Sequence, residues 1–311
     1  MTKLERIIVP NNKGFCEGVK VAIEAVEDLA RKHPNETIYL NHPIIHNGSE
    51  VERLEREYGV VTVENISEVP DGARVIFSAH GTHPNVYAEA ERRGIKVTDA
   101  TCFLVKKVHS RARDYEGMGH EIVLIGHEGH QEVIGTMGRA PMHLVESVEK
   151  VRGLNITPGR KVAYITQTTL SKRETQAIEE ELKARFKTDL VTARDDICYA
   201  TTNRQEAVQA IIDKFRVDAF LIVGGNTSSN VGELVNTARE RNVRAYLIET
   251  HRDITKGHLE GVRNLGLTSG ASTPERLVEE TISHLQNNYG GVLERYFYKA
   301  ENVHFRPIEL N

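Results

Sequence analysis

Three cysteines are the first residues of this chain whose type and spacing suggest chemistry. They lie at Cys16, Cys102 and Cys198, 86 and 96 residues apart. Because the number is odd and no C-x-x-C pair is present, a disulfide framework, a zinc ribbon, a thioredoxin-like site and a closely spaced ferredoxin cluster are disfavoured. Taken singly, each is more typical of a small buried hydrophobe than of a ligand. Three unrelated cysteines are the simple alternative, but the near-even spacing favours a shared role.

Three thiolates from distant parts of one chain suit an iron–sulfur cluster. Three irons of such a cluster can be bound by the protein, which leaves the fourth open as a Lewis acid for a substrate hydroxyl. Zinc held by three thiolates, alone or with one histidine, is the competing interpretation. The spacing of the cysteines does not separate the two.

Polar segments follow apolar runs at two similar distances after each cysteine. The first distance is 30, 28 and 31 residues and reaches His46, His130 and Ser229. The second is 64, 66 and 74 residues and reaches His80, Thr168 and Ser272. Residues 225–230 and 268–272 contain no lysine or arginine, so their hydroxyl, amide and backbone N–H groups predict phosphate binding by neutral donors. Ordinary helix capping is the alternative for each of them.

Histidine pairs and one acid complete this set. The pairs His42/His46, His80/His83 and His127/His130 could bind a metal, although a pair alone is a weak signal. Glu132 lies two residues after His130 and is the best candidate for a proton donor. Its alternative role is to cap a helix that starts near Ile134.

Helices and strands must position these residues. Helical periodicity follows the three cysteines over residues 19–31, 104–115 and 202–215, and strand-like segments precede them at 6–9, 95–98 and 189–192. Each cysteine therefore begins a helix, where backbone N–H groups and the helix dipole are expected to lower a thiol pKa. Pro84 and Pro274 fit first helical turns, and Ser171 with Glu174 and Ser272 with Glu275 predict capping boxes.

The alternation of strands and helices predicts three βα modules of roughly 90 residues with parallel sheets. Ligands of such sheets bind beyond the carboxyl ends of the strands. We therefore expect the cysteines and polar segments to share one pocket.

Composition limits the class of protein. The 311 residues are 39% hydrophobic, with a net charge of -4 and no polybasic block, which predicts a globular protein that does not bind nucleic acid. The longest apolar runs, such as 219–223, are too short to span a membrane, and residues 1–6 do not begin a secretory signal. The sequence predicts a cytoplasmic protein, and a small acidic electron-transfer partner is compatible with it.

Eight motifs resemble the 4-hydroxy-3-methylbut-2-enyl diphosphate reductase (LytB/IspH) family and occur in that family's order. They are Gly14–Val19 (GFCEGV), Ser78–Gly81 (SAHG), Asp99–Cys102 (DATC), Gly135–Gly138 (GTMG), Thr166–Ser171 (TQTTLS), Asp196–Gln205 (DICYATTNRQ), Ser228–Asn230 (SSN) and Gly270–Ser272 (GAS). The similarity runs from about residue 6 to the tail Glu301–Val303. It implies a trefoil of three pseudo-threefold related α/β modules around a 4Fe-4S cluster.

The predicted segments are an N-terminal strand with the first cysteine (1–16), three modules (17–101, 102–197 and 198–287) and a tail over the modules (288–311). The resemblance also implies an activity. A two-electron reduction removes the allylic hydroxyl of 4-hydroxy-3-methylbut-2-enyl diphosphate as water and forms isopentenyl and dimethylallyl diphosphates. This is the last step of the methylerythritol phosphate route, and ferredoxin or flavodoxin is the electron donor.

The resemblance implies a role for individual residues. The cluster ligands are Cys16, Cys102 and Cys198, with an open fourth iron whose loss in air would leave a 3Fe-4S cluster. His130 and Thr168 lie near the hydroxymethyl end of the substrate, and Glu132 is the acid of the proton relay. The diphosphate is held by His46, His80, Ser228, Asn230 and Ser272, with Ser229 beside them.

Three positions depart from the family pattern. Phe103 and Lys106 follow the second cysteine where the family has proline and threonine or a similar residue, and Gln131 stands where the family has proline. The alternatives to the main prediction are a divergent paralogue, a non-redox cluster hydro-lyase acting on another small diphosphate, and a cluster-bearing redox sensor.

Overall fold

The computed structural model describes residues 3–192 and 196–311. Its strands are β1 (Leu4–Pro10), β2 (Ile38–Asn41), β3 (Val61–Val63), β4 (Arg74–Phe77), β5 (Lys96–Asp99), β6 (Glu121–Ile125), β7 (Met142–Val145), β8 (Val162–Thr166), β9 (Leu190–Thr192), β10 (Ala219–Val223), β11 (Arg244–Ile248), β12 (Asn264–Ser269) and β13 (Gly290–Tyr296). Its helices are α1 (Glu17–Lys32), α2 (Gly48–Tyr58), α3 (Pro84–Arg92), α4 (Phe103–Gly117), α5 (Gln131–Met137), α6 (Val148–Arg152), α7 (Lys172–Phe186), α8 (Tyr199–Phe215), α9 (Ser229–Glu240), α10 (Lys256–Leu259) and α11 (Glu275–Tyr289).

The chain divides into two compact units. The first unit comprises Met1–Lys20, His46–Arg53 and Tyr199–His304, and the second comprises Val21–Ile45, Leu54–Cys198 and Phe305–Asn311. The first contains a five-stranded sheet in the order β11-β10-β12-β1-β13. The second contains two four-stranded sheets in the orders β3-β2-β4-β5 and β7-β6-β8-β9. Every strand pair is parallel, so the predicted α/β fold with three parallel sheets is confirmed.

Alternation along the strands explains why helices cover both faces of a sheet. In β10, Leu221 packs in a cluster with α11 residues such as Ile282, whereas Phe220 packs in another with α8 residues such as Ile211. Because successive side chains point to opposite faces, a continuous apolar strand needs a helix on each side. In β6, Leu124 likewise joins a cluster that includes residues of α4, and Val123 and Ile125 join one with α7.

The three sheets repeat one strand pattern. In each sheet, the strand that leads to a cysteine pairs with the third strand of the order: β1 with β12, β5 with β4, and β9 with β8. Cys16, Cys102 and Cys198 each follow the first-named strand of these pairs. Each cysteine therefore follows the strand that stands fourth in its sheet's order. The segment boundaries stay a prediction, and residues 1–2 and 193–195 of the predicted segments lie outside the described residues.

Helix starts test the predicted capping signals. Ser171 caps α7 and forms a capping box with Glu174, as predicted, and α3 begins at Pro84. The predicted capping box of Ser272 with Glu275 is wrong. Glu275 is the first residue of α11, whose N-cap is Pro274, and Ser272 bonds elsewhere. Within the described residues, no helix combines the length and apolar character needed to cross a membrane.

Candidate active site

The three cysteines occupy equivalent positions in the three sheets. Each precedes a helix, namely α1, α4 and α8, and all three are free and half-buried. The backbone N–H of each donates to a carbonyl oxygen two residues beyond the end of the neighbouring strand. These acceptors and N···O distances are Ala271 for Cys16 (3.0 Å), Ala79 for Cys102 (3.0 Å) and Thr168 for Cys198 (2.8 Å). One hydrogen bond, repeated three times, thus ties each cysteine to a predicted substrate-binding segment.

The electrostatic surroundings of Cys16 differ from the sequence expectation. Burial raises the pKa of its thiol, and this effect outweighs the lowering by Arg204 and by hydrogen bonds from the backbone N–H groups of Gly18 and Val19. The N–H groups at the helix start therefore lower this pKa as expected, but desolvation of the thiolate is the larger contribution and the net pKa is raised. A bound metal would still favour the thiolate, since its positive charge replaces the lost solvation.

Arg204 supports the segment before Cys16. Its guanidinium is 1% exposed and donates to the carbonyl oxygens of Gly14 (2.9 Å) and Ala200 (3.0 Å). The carboxylate of Glu301 lies 3.4 Å from it and also accepts hydrogen bonds from Asn12 and Asn203. The burial of Arg204, which lies in the Asp196–Gln205 motif, was not predictable from sequence, because an arginine in a helix is ordinarily exposed.

In the second unit, Glu132 forms the centre of a hydrogen-bonded group. Its Oε1 accepts from the backbone N–H of Thr168 at 2.6 Å, and its Oε2 accepts from the Thr168 hydroxyl at 2.9 Å. Glu132 is 2% exposed, and burial raises its pKa to about 7, although both bonds from Thr168 oppose the rise. The group is therefore able to hold or release a proton near neutral pH.

His130, and not Glu132, caps the helix that carries this acid. The Nδ1 atom of His130 accepts from the backbone N–H of Glu132 at 3.1 Å, and α5 begins at Gln131 rather than near Ile134. This bond leaves the Glu132 carboxylate for Thr168. The His130 ring lies edge-on to His80, with 6.1 Å between ring centroids. His80 in turn contacts the Ser78 hydroxyl through Nδ1 at 3.3 Å.

Two further residues, which were not identified from the sequence, position this group. Gln167 is 1% exposed, accepts from the backbone N–H of His127 (3.0 Å) and donates to the Thr169 hydroxyl (2.8 Å). Gly135 lets α5 approach the segment containing His80, because a Cβ there would lie 3.0 Å from the backbone carbon of Gly81. Gln167 lies in the TQTTLS motif and Gly135 in the GTMG motif, and that membership was the available signal.

In the first unit, four predicted substrate-binding residues lie on the segments after β10 and β12. Asn230 accepts from the backbone N–H of Ala271 at 2.9 Å, and its buried Nδ2 has no partner within the described ranges. Ser272 donates to the carbonyl oxygen of His46 at 3.2 Å. Ser228 is the N-cap of α9 but makes no side-chain capping bond, and Ser229 is the first residue of that helix.

His46 completes this group. Burial lowers the pKa of its imidazole. Gly225 packs against the His46 carbonyl, since a Cβ there would lie 2.6 Å from that oxygen. The buried donors of this unit therefore include Asn230 Nδ2, which a ligand acceptor could satisfy.

The three departures from the family pattern lie in the second unit, on α4 and α5. Phe103 is 61% exposed, with its ring 5.6 Å from that of Phe305, and Lys106 pairs with Asp99 at 3.0 Å. Gln131 is the first residue of α5.

The donor chemistry fits an iron–sulfur cluster. The three cysteines would supply soft sulfur ligands to such a cluster, and the N–H groups of Gly18 and Val19 reach the sulfur of Cys16. Over residues 3–192 and 196–311, no set of three or more histidine, cysteine, aspartate or glutamate side chains could hold a single metal ion. That criterion concerns one ion, whereas thiolates that bind a cluster can each bind a different iron.

Together these features define a class: a parallel α/β protein with one cysteine and two polar segments at the strand ends of each of three sheets. The chain belongs to the family described as LytB protein, whose model matches residues 7–286. This confirms the resemblance found in the motifs. Members of this family are iron–sulfur-dependent proteins.

Relatives carry the name that the motifs imply. The chain is 47% identical over 283 residues to a 4-hydroxy-3-methylbut-2-enyl diphosphate reductase of Magnetococcus marinus, covering 90% of this chain and 91% of that protein. It is 43% identical over 311 residues to the enzyme of the same name from Enterobacter sp., covering 98% and 97%. A solved structure of the Plasmodium falciparum E-1-hydroxy-2-methyl-but-2-enyl-4-diphosphate reductase matches with a TM-score of 0.93 at 38% identity, covering 99% of this chain and 96% of that one.

Proposed function

We propose that this chain is an iron–sulfur reductive dehydroxylase that converts 4-hydroxy-3-methylbut-2-enyl diphosphate into isopentenyl and dimethylallyl diphosphates. The names of its relatives support this substrate, and one solved relative is described as the terminal enzyme of the non-mevalonate pathway. The observation that carries the proposal is the buried Glu132 carboxyl, which accepts two hydrogen bonds from Thr168 and has a pKa of about 7.

The cysteines are the proposed ligands of a 4Fe-4S cluster. Their support is the threefold recurrence of a half-buried free cysteine that begins a helix and donates its N–H to a strand-end segment. When bound, the cluster supplies electrons and an open iron that acts as a Lewis acid. Because no protein ligand protects that iron, exposure to air is expected to leave a 3Fe-4S cluster.

Glu132 and Thr168 transfer a proton to the leaving hydroxyl of the substrate. Departure of the allylic hydroxyl as water requires a proton, because hydroxide is a poor leaving group. A protonated Glu132 would donate to the Thr168 hydroxyl, which then donates to the substrate. Their 2.9 Å separation permits this transfer without movement of either side chain. His130 holds the first turn of α5 through its bond to the Glu132 N–H. It is the proposed neighbour of the substrate hydroxymethyl group.

Neutral donors hold the diphosphate. Asn230, Ser228, Ser229, Ser272 and His46 are the proposed contacts from the first unit, with His80 from the second. Asn230 supports this role best, because its buried Nδ2 has no partner within the described residues and could donate to a phosphate oxygen. Hydroxyl and amide donors are strong partners for a charged acceptor.

Ferredoxin or flavodoxin is the proposed electron donor, and the cytoplasm the proposed location. Three free cysteines are compatible with a reducing compartment. Nucleic acid and membranes are not proposed partners, since the net charge is -4 without a polybasic block.

Anaerobic turnover tests the proposal. Protein reconstituted with iron and sulfide is mixed with substrate and a reduced viologen dye, and the oxidised dye and both products are quantified. Two electrons consumed per product molecule are expected. Product formation without dye oxidation would identify a hydro-lyase, and a colourless protein with stoichiometric zinc would end the cluster assignment. Serine at any one of the three cysteines should reduce bound iron and sulfide; Ser110→Ala, an exposed change on α4, is the control.

A further inference from the structure

A cavity of about 370 Å³ lies within the second unit. It lies between α3, the end of β5, α4 and the residues after α5, and its lining includes Tyr87, Asp99, Lys106, Arg113 and Arg139. None of the predicted site residues lines it. Its volume is at the lower end of the range for small-molecule sites, about 300–1,000 Å³.

The only carboxylate of the lining already has partners. Asp99 pairs with Lys106 at 3.0 Å and accepts from the backbone N–H of Thr101 at 3.0 Å. In the part of the chain that the structure describes, neither Arg113 nor Arg139 has a carboxylate partner. Arg139 donates to the carbonyl oxygen of Thr82 at 2.6 Å and lies over the Tyr87 ring at 5.7 Å. Among the described residues, two guanidinium charges therefore remain without a carboxylate partner at this cavity.

The neighbouring histidine responds to this positive charge. His109 also lines the cavity and is 4% exposed. Burial lowers its pKa to about 3, and the charges of Arg139 and Arg113 contribute to the decrease. Its imidazole is thus neutral, and the positive charge of the cavity comes from the two arginines.

We propose that this cavity binds a small ligand through a dianionic phosphate group. Two guanidinium groups match a charge of two on the ligand, and their planar N–H donors suit phosphate oxygens. A single carboxylate would neutralise only one of them. The Tyr87 ring and Pro84 provide an apolar wall for an organic part, so both inorganic phosphate and a phosphate monoester fit the same chemistry.

Calorimetric titration tests the site. The anaerobic holoenzyme carrying Asn230→Ala and Ser272→Ala, which weaken the proposed diphosphate site, is titrated with inorganic phosphate, glycerol phosphate and malonate at constant ionic strength. Arg113→Ala in this background should weaken phosphate binding about tenfold or more, since a hydrogen bond to a charged group is lost. Lys107→Ala removes the same charge from α4 but lies outside the lining, so binding should be unchanged.

Several results would overturn the proposal: no binding of either phosphate compound, equal affinity in the Arg113→Ala and Lys107→Ala variants, or tighter binding of malonate. Arg139→Gln provides a second variant, and its circular dichroism reports whether it folds. Tighter binding of glycerol phosphate than of inorganic phosphate would assign the ligand as a monoester, and the reverse would assign inorganic phosphate. Turnover of the unmodified enzyme is measured separately, so failure of the proposed activity is distinguishable from failure of this site.

Discussion

Glu132 should hold its proton up to neutral pH, and Glu132→Gln removes the group that does so. The side chain is 2% exposed, and its only described partners are two donors of Thr168. Glutamine has a similar shape and no titratable proton, so it isolates the effect of the carboxyl.

The magnitude follows from the pKa. A rise from the ordinary 4.5 to about 7 corresponds to about 3 kcal/mol, since one pKa unit is worth about 1.4 kcal/mol. Because the folded-state pKa is raised, the contribution to stability is fully present below pH 4.5 and is lost as the pH rises through about 7. Relative to the parent, Glu132→Gln should therefore gain stability with rising pH, by up to about 3 kcal/mol above pH 7.

Two measurements check this expectation. Infrared difference spectra between parent and Glu132→Gln should show a protonated carboxyl band that disappears with a midpoint near pH 7. Urea unfolding over the same pH series should give diverging stabilities for the two proteins. Glu128→Gln, an exposed change in the preceding segment, serves as the control and should track the parent within about 0.5 kcal/mol.

Catalysis should respond to the same change. General acid catalysis typically contributes about 10²- to 10⁴-fold, so single turnover of pre-reduced Glu132→Gln should slow by that order while substrate binding changes little. In the parent, the rate should decline as the pH rises above 7. A carboxyl band that titrates near pH 4.5, parallel stability curves, or near-parental single turnover would refute the reasoning.

Three further outcomes are expected. Asn230→Ala should weaken substrate binding about tenfold or more, because a buried donor to a charged group is lost, whereas Lys256→Ala, exposed in the same unit, should not; titration with substrate compares them. Glu301→Gln should destabilise the fold by about 1–3 kcal/mol in urea unfolding, since the buried Arg204 loses its carboxylate partner, with exposed Glu309→Gln as the control. Air oxidation should convert the cluster to a 3Fe-4S species with loss of activity. Electron paramagnetic resonance measures the signal of that species, and its absence after oxidation would contradict the prediction.

Local signals in the sequence determined the fold class and most of the candidate residues. Apolar strand runs and helical periodicity around Cys102 and Cys198 place both cysteines at helix starts, where the structure has them. These signals are local, because strand burial, helix periodicity and capping depend on residues close together in the chain. The Ser171–Glu174 capping box follows the same logic and is present.

Only the tertiary structure decided how far each group is desolvated and which partner it takes. The bond between Glu132 and Thr168 joins residues 36 positions apart, and the pKa of about 7 follows from burial that no local pattern reports. Burial also reversed the expected direction of the pKa shift of Cys16. Ser272 donates to the carbonyl oxygen of His46 and does not form its predicted capping box. Strand β1 pairs with β12, more than 250 residues later. The strand before Cys16 therefore joins a sheet whose other strands lie much later in the chain. Desolvation and long-range pairing depend on the whole packed unit, and for that reason no short stretch of sequence reports them.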